Sequence, residues 1–376
     1  MTRARRYDLK DPRQVLAALD HARALERSGR GDEAGHVYLG LGRVRKAPPA
    51  FYQSLGEGLS RTGHKGEADR LYRRTLAARS KALPTTLDEA LDTPDTRLEA
   101  QRPDPRALDW AWRHRSDSAI DRATFERRAR WGMAADALLL DWRECRPDDR
   151  SARSLFINGD AFARGLQSAS DGARGLVMAS AHFGAVFAPP LIYNLYDSPV
   201  RAIAAFSSYK SSPLSSRMLS TVDLDRKELA RQADAIVADG GILTMAVDGS
   251  LGGKPIDFGP DGLPDVRVSP LLARLAHRYR CPSVFRSALW EDRRTRFHVE
   301  PLPDARPDET FDAYFDRWAS AYRDAVARHL EGASPENLRL NSGIWRGIKR
   351  LGTVGQHSTS PSSTPPEVAI PRPTRP

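Results

Sequence analysis

At 376 residues the chain can bury one large core and a smaller one, which excludes a small scaffold held by staples. Its charge of +10 suits anionic partners such as phosphates or acidic lipid surfaces. Nucleic acid is disfavoured by the lack of zinc-ligand spacing, basic-leucine heptads or an aromatic–basic RNA signature, and the two cysteines, Cys145 and Cys281, are too few for a disulfide framework and point to a reducing compartment.

The N-terminus, Met-Thr-Arg-Ala-Arg-Arg-Tyr-Asp, is charged, with no apolar segment behind it. Next comes an internal repeat. Arg27-Ser-Gly-Arg-Gly-Asp-Glu-Ala-Gly-His-Val-Tyr38 returns as Arg61-Thr-Gly-His-Lys-Gly-Glu-Ala-Asp-Arg-Leu-Tyr72, an offset of 34 residues. This period resembles the tetratricopeptide repeat, in which a small residue (Ala34, Ala68) lets paired helices approach and an aromatic (Tyr38, Tyr72) fills the gap between units. Two units are fewer than a free-standing solenoid needs, so the expectation is an all-helical module, residues 1–98 with its linker, that leans on the rest of the chain. It is either a surface for a protein partner, through residues 15–80, or a structural pair of helical hairpins.

Residues 83–105 carry Pro84, Pro94, Pro103 and Pro105 among threonine and aspartate and read as a linker. Residues 106–146 read as helical, rich in arginine and tryptophan. Trp110, Trp112, Trp131 and Trp142 are either core or an anchor at a bilayer surface.

From residue 154 the pattern alternates between strand and helix. Strands are expected at Leu155-Phe-Ile-Asn-Gly and over 175–181, 199–206, 242–247, 282–290 and 297–301. Helices are expected over 160–170, 211–221, 227–239, 269–280 and 310–329. Such alternation implies an α/β domain over residues 99–350, a mixed sheet with helices on both faces. After Arg350 the chain is rich in Ser, Thr and Pro, and residues 351–376 are expected to be disordered.

Within that body, the longest uncharged stretch, residues 175–196, could span a bilayer by length. It contains His182, Gly184, Pro189, Pro190 and Asn194, so a strand, a turn and a helix are expected instead. The protein is therefore expected to be soluble or to lie on a membrane surface. His182 falls on the turn, at the carboxyl end of a strand, where open α/β sheets bind ligands. An imidazole there can take a proton near neutral pH. The alternative is a polar residue that merely ends a buried strand.

The order of elements resembles the bacterial lipid A lauroyl/myristoyl acyltransferase family, within the glycerolipid acyltransferase superfamily. The matching stretches are Gly172-Ala-Arg-Gly-Leu-Val-Met-Ala-Ser-Ala-His-Phe-Gly, Ser208-Tyr-Lys-Ser-Ser-Pro-Leu-Ser-Ser-Arg, and Ala246-Val-Asp-Gly leading to Ile256-Asp-Phe-Gly. Ser269-Pro-Leu-Leu-Ala-Arg-Leu-Ala, Cys281-Pro-Ser-Val-Phe and Pro335-Glu-Asn-Leu-Arg-Leu complete the set. The similarity covers about residues 105–348; the repeat stands where the family usually has a membrane-spanning helix. It implies transfer of a fatty acyl group from acyl-carrier protein or coenzyme A to a hydroxyl of a lipid or glycolipid acceptor, without a cofactor or metal. The protein would sit in the cytoplasm, peripheral on the inner membrane.

The family's motif is His-x4-Asp/Glu, a histidine base with an acid that orients it. His182 fits the histidine, but the acid position holds Phe187. Asp248, ending a neighbouring buried strand, is the substitute the sequence offers. Lys210 and Arg217, and more weakly Arg201, are candidates for a substrate phosphate, with Gly184 in the turn beside them. His277, His298 and His329 lack metal spacing, and the serines between 207 and 216 lack a nucleophile-elbow context. The rival reading from another class is a catalytically impaired relative that binds lipid or an assembly partner, which Phe187 favours.

Overall fold

The computed structural model describes residues 7–44, 47, 49–92, 98–99, 101–172, 174–207, 209–249, 254–256, 266–331 and 333–345. The tail beyond residue 350 and most of the glycine- and proline-rich loop after Asp248 lie outside them.

The chain begins as two helical hairpins, α1 (Pro12–Arg27) with α2 (Gly31–Leu41), and α3 (Pro49–Arg61) with α4 (Lys65–Ala82). Asp11 caps α1 by accepting the Arg13 amide, and Pro12 stands next to it at the position where no amide is needed. Gly29 and Gly63 end the first helix of each pair with φ of 76° and 83°. Leu25 and Leu59, Ala34 and Ala68, and Tyr38 and Tyr72 are all buried. The 34-residue offset thus carries the same burial pattern twice.

Leucines organise the next segment. α5 (Leu87–Asp92) lies inside the stretch expected to be a linker. Its Leu87, Ala90 and Leu91 are buried in one core with Leu138, Leu139 and Trp142. Enough apolar side chains sit between the prolines to dock that segment, so its first half is packed structure. Beyond it come α6 (Pro105–Arg113) and the long α7 (Arg122–Cys145), capped by Asp104 and Asp121. Trp110 and Trp142 point inward, 6% and 0% exposed, so neither ring is available to a bilayer.

The body is a mixed sheet flanked by helices. Six strands run in the order β3 (Met218–Ser220), β2 (Val200–Ala204), β4 (Ile242–Ala246), β1 (Leu176–Ser180), β7 (Ser283–Glu291), β8 (Arg294–Pro301). All neighbours are parallel except the β7–β8 hairpin. A separate antiparallel pair joins β5 (Lys254–Ile256) to β6 (Val266–Val268). In β1, Val177 and Ala179 face a core with α10 (Arg226–Ala238), α11 (Leu271–Tyr279) and α12 (Phe311–Glu331). Leu176 and Met178 face the other core, with α8 (Gly159–Asp171) and α9 (Ala188–Leu195). Both faces are covered, which is why β1 reads as an unbroken apolar run.

Two expected elements differ. Residues 211–221 form a short turn, Ser215–Arg217, and the edge strand β3, where a helix was expected. Pro213 and the surrounding serines break the helix, and pairing with β2 recruits the strand. Leu155-Phe-Ile-Asn-Gly is the end of a tight turn, Arg150–Leu155, followed by a single bridge between Phe156 and Thr295. The hairpins meanwhile dock on the connection between β2 and β3. Tyr72 stacks on Tyr209 at 4.5 Å and Asp69 accepts the Ser211 amide at 2.7 Å, while Ser60 bonds Asp223 just past β3. No helix among the described residues is long and apolar enough to cross a membrane.

Candidate functional site

β1 and β4 are parallel neighbours, with Ser180 opposite Ala246, so the residues just beyond them emerge side by side at the carboxyl edge of the sheet. Those residues are His182 and Asp248. The Asp248 carboxylate accepts twice from His182, at 2.8 Å from Nδ1 and at 2.9 Å from the backbone amide. Its side chain is completely buried, while the imidazole keeps 34% of its surface open. With Nδ1–H donated to the carboxylate, Nε2 carries the lone pair. Burial opposes the charged imidazole, but the Asp248 charge and hydrogen bond outweigh it and raise the His182 pKa above its ordinary 6.5. The arrangement is that of a general base held in one tautomer by an acid.

The turn is clamped from behind. Gly184 has φ of 66°, and a Cβ there would lie 2.2 Å from the Ala288 carbonyl oxygen in β7. Its amide donates to the Asn337 carbonyl at 2.6 Å, and the Ala185 amide to Ala288 at 2.7 Å. Asn337 also exchanges two hydrogen bonds with the Trp290 backbone, at 2.7 and 3.0 Å. Gly184 is therefore the close-packed pivot of the turn, buried away from the open space its candidate role in substrate binding would need.

Phe187 stands at the N-terminus of α9. Its amide donates to the buried Asp136 at 2.9 Å, and Asp136 pairs with Arg339. The ring is near two guanidiniums, 5.2 Å from that of Arg339 and 5.8 Å from that of Arg143. The acid of the His-x4-Asp/Glu pattern is thus absent at its own position, and Asp248 supplies the contact from the neighbouring strand.

His182 opens into a cavity of about 830 Å³ that runs over the carboxyl ends of β4 and β2. Its wall is largely apolar, with Val186, Pro190, Ile203, Leu214, Met218 and Leu229 among the lining residues. Arg217 lines it too, with its guanidinium held by Asp197 and the Ser198 carbonyl. Lys210 and Arg201 are exposed and do not line it. His277, His298 and His329 lie apart from it; His329 pairs with Glu300 at 2.9 Å and His277 bonds the Glu309 carbonyl.

No family model matches the chain. It is 32% identical over 337 residues to the Vi polysaccharide export protein VexE of Salmonella typhi, an alignment that covers 88% of this chain and 50% of that protein. The chain spans about half the length of this curated relative. The name of that protein speaks of polysaccharide export and assigns no chemistry to His182.

Sequence reasoning missed Asp136, Arg143, Arg286 and Arg339, all around the same space. A signal existed for three of them. Asp136, Leu139 and Arg143 share one face of α7 by their spacing, and a charge on an apolar stripe asks for a partner. Arg286 interrupts the apolar run Ser-Val-Phe-Arg-Ser-Ala-Leu-Trp, which is the same kind of signal.

Proposed function

We propose that the protein is an O-acyltransferase related to the lipid A lauroyl/myristoyl family, carrying a tetratricopeptide-like module at its N-terminus. It would move a fatty acyl group from acyl-carrier protein or acyl-CoA to a hydroxyl of a lipid or glycan acceptor at the inner membrane. The observation that carries this reading is His182, held by Asp248 at the mouth of a mostly apolar cavity. His182 Nε2 takes the acceptor's hydroxyl proton as that oxygen attacks the thioester carbonyl. Collapse of the tetrahedral intermediate expels the donor thiolate, which takes the proton back from the imidazole. The apolar wall suits an acyl chain, and likeness to a polysaccharide export protein favours a glycan-linked acceptor. Intact-mass analysis of lipids and polysaccharide from cells with and without the protein tests it. An acyl increment that depends on the protein and on His182 supports transfer.

A second reading is favoured by the relative's name: a lipid-binding or assembly protein of polysaccharide export that performs no transfer. An unchanged acyl inventory, together with a lost export phenotype in cells lacking the protein, is its signature.

A further inference from the structure

The cavity contains two cations for which the acyl-transfer step has no use. Arg143 comes from α7 and Arg286 from β7, and both line it. They are only 5% and 7% exposed. Among the described residues neither guanidinium has a hydrogen bond or an ion pair, and the Nε of each is buried with no partner. Of the other guanidiniums that line the cavity, Arg217 is held by Asp197 and Arg339 by Asp136, while Arg226 is exposed to solvent. The carboxylates around Arg143 are committed elsewhere, Glu144 to Arg79 at 2.6 Å and Asp136 to Arg339. Burial pushes the Arg143 guanidinium down to about 10 against the pull of Glu144. Burying an unpaired cation is strongly unfavourable, and a fold retains the cost where something else supplies the counter-charge.

We propose that Arg143 and Arg286 receive a carboxylate or phosphate carried by the molecule whose hydroxyl meets His182, so that the acceptor is an anion. This rests on the acyl-transfer reading for the word acceptor, and on the two arginines alone for the anion. Position assigns the anion to the acceptor side. Arg143 sits against Phe187, which opens α9 directly after the His182 turn. A donor's pantetheine phosphate is a whole pantetheine arm away from its thioester, so it falls far from that turn. Planar forks such as these take two oxygens of one oxyanion, and the buried Tyr193 hydroxyl beside Arg286 adds a neutral donor.

The test is calorimetric titration and thermal unfolding of the full chain with glucuronate, glucose 1-phosphate, uncharged glucose and 4′-phosphopantetheine. Wild type, Arg143→Gln, Arg286→Gln and Arg286→Lys are compared. At least one sugar anion is expected to bind and raise Tm, and glucose to do neither. Each glutamine variant is expected to weaken that binding on the order of 10–100-fold. The ligand-free Tm should stay level or rise in those variants, because an unpaired buried charge is gone. A structural arginine would behave the opposite way, lowering the free Tm and sparing the binding. Should the glutamine variants not fold, wild type and Arg286→Lys still decide, since the lysine keeps the charge and loses the fork. The proposal is overturned if neither sugar anion binds wild type, if binding is the same in the variants, or if 4′-phosphopantetheine alone depends on the arginines. No titration involves turnover, so a His182→Ala protein with undiminished transfer would refute the mechanism and leave the anion site standing.

Discussion

Asp248→Asn probes the link between fold and chemistry most sharply. One Asp248 oxygen accepts the His182 amide at 2.9 Å and the other accepts Nδ1–H at 2.8 Å. An amide that keeps its oxygen on the backbone N–H must turn its NH2 toward Nδ1. That drives the ring proton to Nε2, which then cannot accept the acceptor's proton. General-base catalysis is worth roughly 10²–10⁴-fold, so kcat should fall by about that factor, about 3–5 kcal/mol of barrier. Volume is conserved and the bond to the main-chain amide survives, so the fold should persist. The pH profile adds a second readout. In wild type the unprotonated base is lost as pH falls through a pKa raised above 6.5. Removing the carboxylate leaves burial, the largest cause, and the Arg339 charge to lower that pKa against the Asp136 charge that raises it, so the acidic limb should move to lower pH. Stability obeys the same linkage: the charged pair stabilises fully below the unfolded value near 6.5 and less as pH rises through the folded one. The Tm cost of the variant should thus be larger at about pH 6 than at about pH 9. Acyl transfer followed by mass spectrometry across that range is the assay. A variant with wild-type kcat and an unmoved acidic limb would refute the reasoning.

Three further outcomes are expected. Phe187→Asp should not raise the transfer rate, because Asp248 already holds the imidazole and the new carboxylate meets Arg143 and Arg339; a rate gain in steady-state assays contradicts this. Asn337→Ala leaves the buried Trp290 amide and carbonyl unpaired and should cost roughly 2–4 kcal/mol in denaturant unfolding, with a loss under about 1 kcal/mol counting against the clamp. Anionic vesicles should recruit the protein through its +10 charge and release it as salt rises, in co-sedimentation; retention at high salt, or no binding, contradicts a surface association driven by charge.

Much of the body could be read from periodicity, because its strands are short apolar runs broken by turn residues. The juxtaposition of His182 with Asp248 was legible for the same reason: each ends a buried strand at the same edge. What sequence could not give was set by distant contacts. The edge strand β3 exists only because β2 offers it a ladder, so serine and proline spoke there for a helix or nothing. The packed half of residues 83–105 was hidden by its prolines, although Leu87 and Leu91 find their partners on α7. Trp110 and Trp142 beside arginines fit a bilayer anchor as well as a core until Trp345 and Asp149 take their rings. The arginines of the cavity were missed because a lone cation on an apolar stripe names no partner.

The central claim is that His182 is the base of an acyl transfer, and one comparison tests it most directly. Cells producing wild type or His182→Ala at equal levels are assayed by intact mass for acylated lipid and polysaccharide, with the folds checked by circular dichroism. The account predicts an acyl increment in wild type that falls by roughly 10²-fold or more in a variant that is still folded. A His182→Ala protein that delivers the same increment would contradict it.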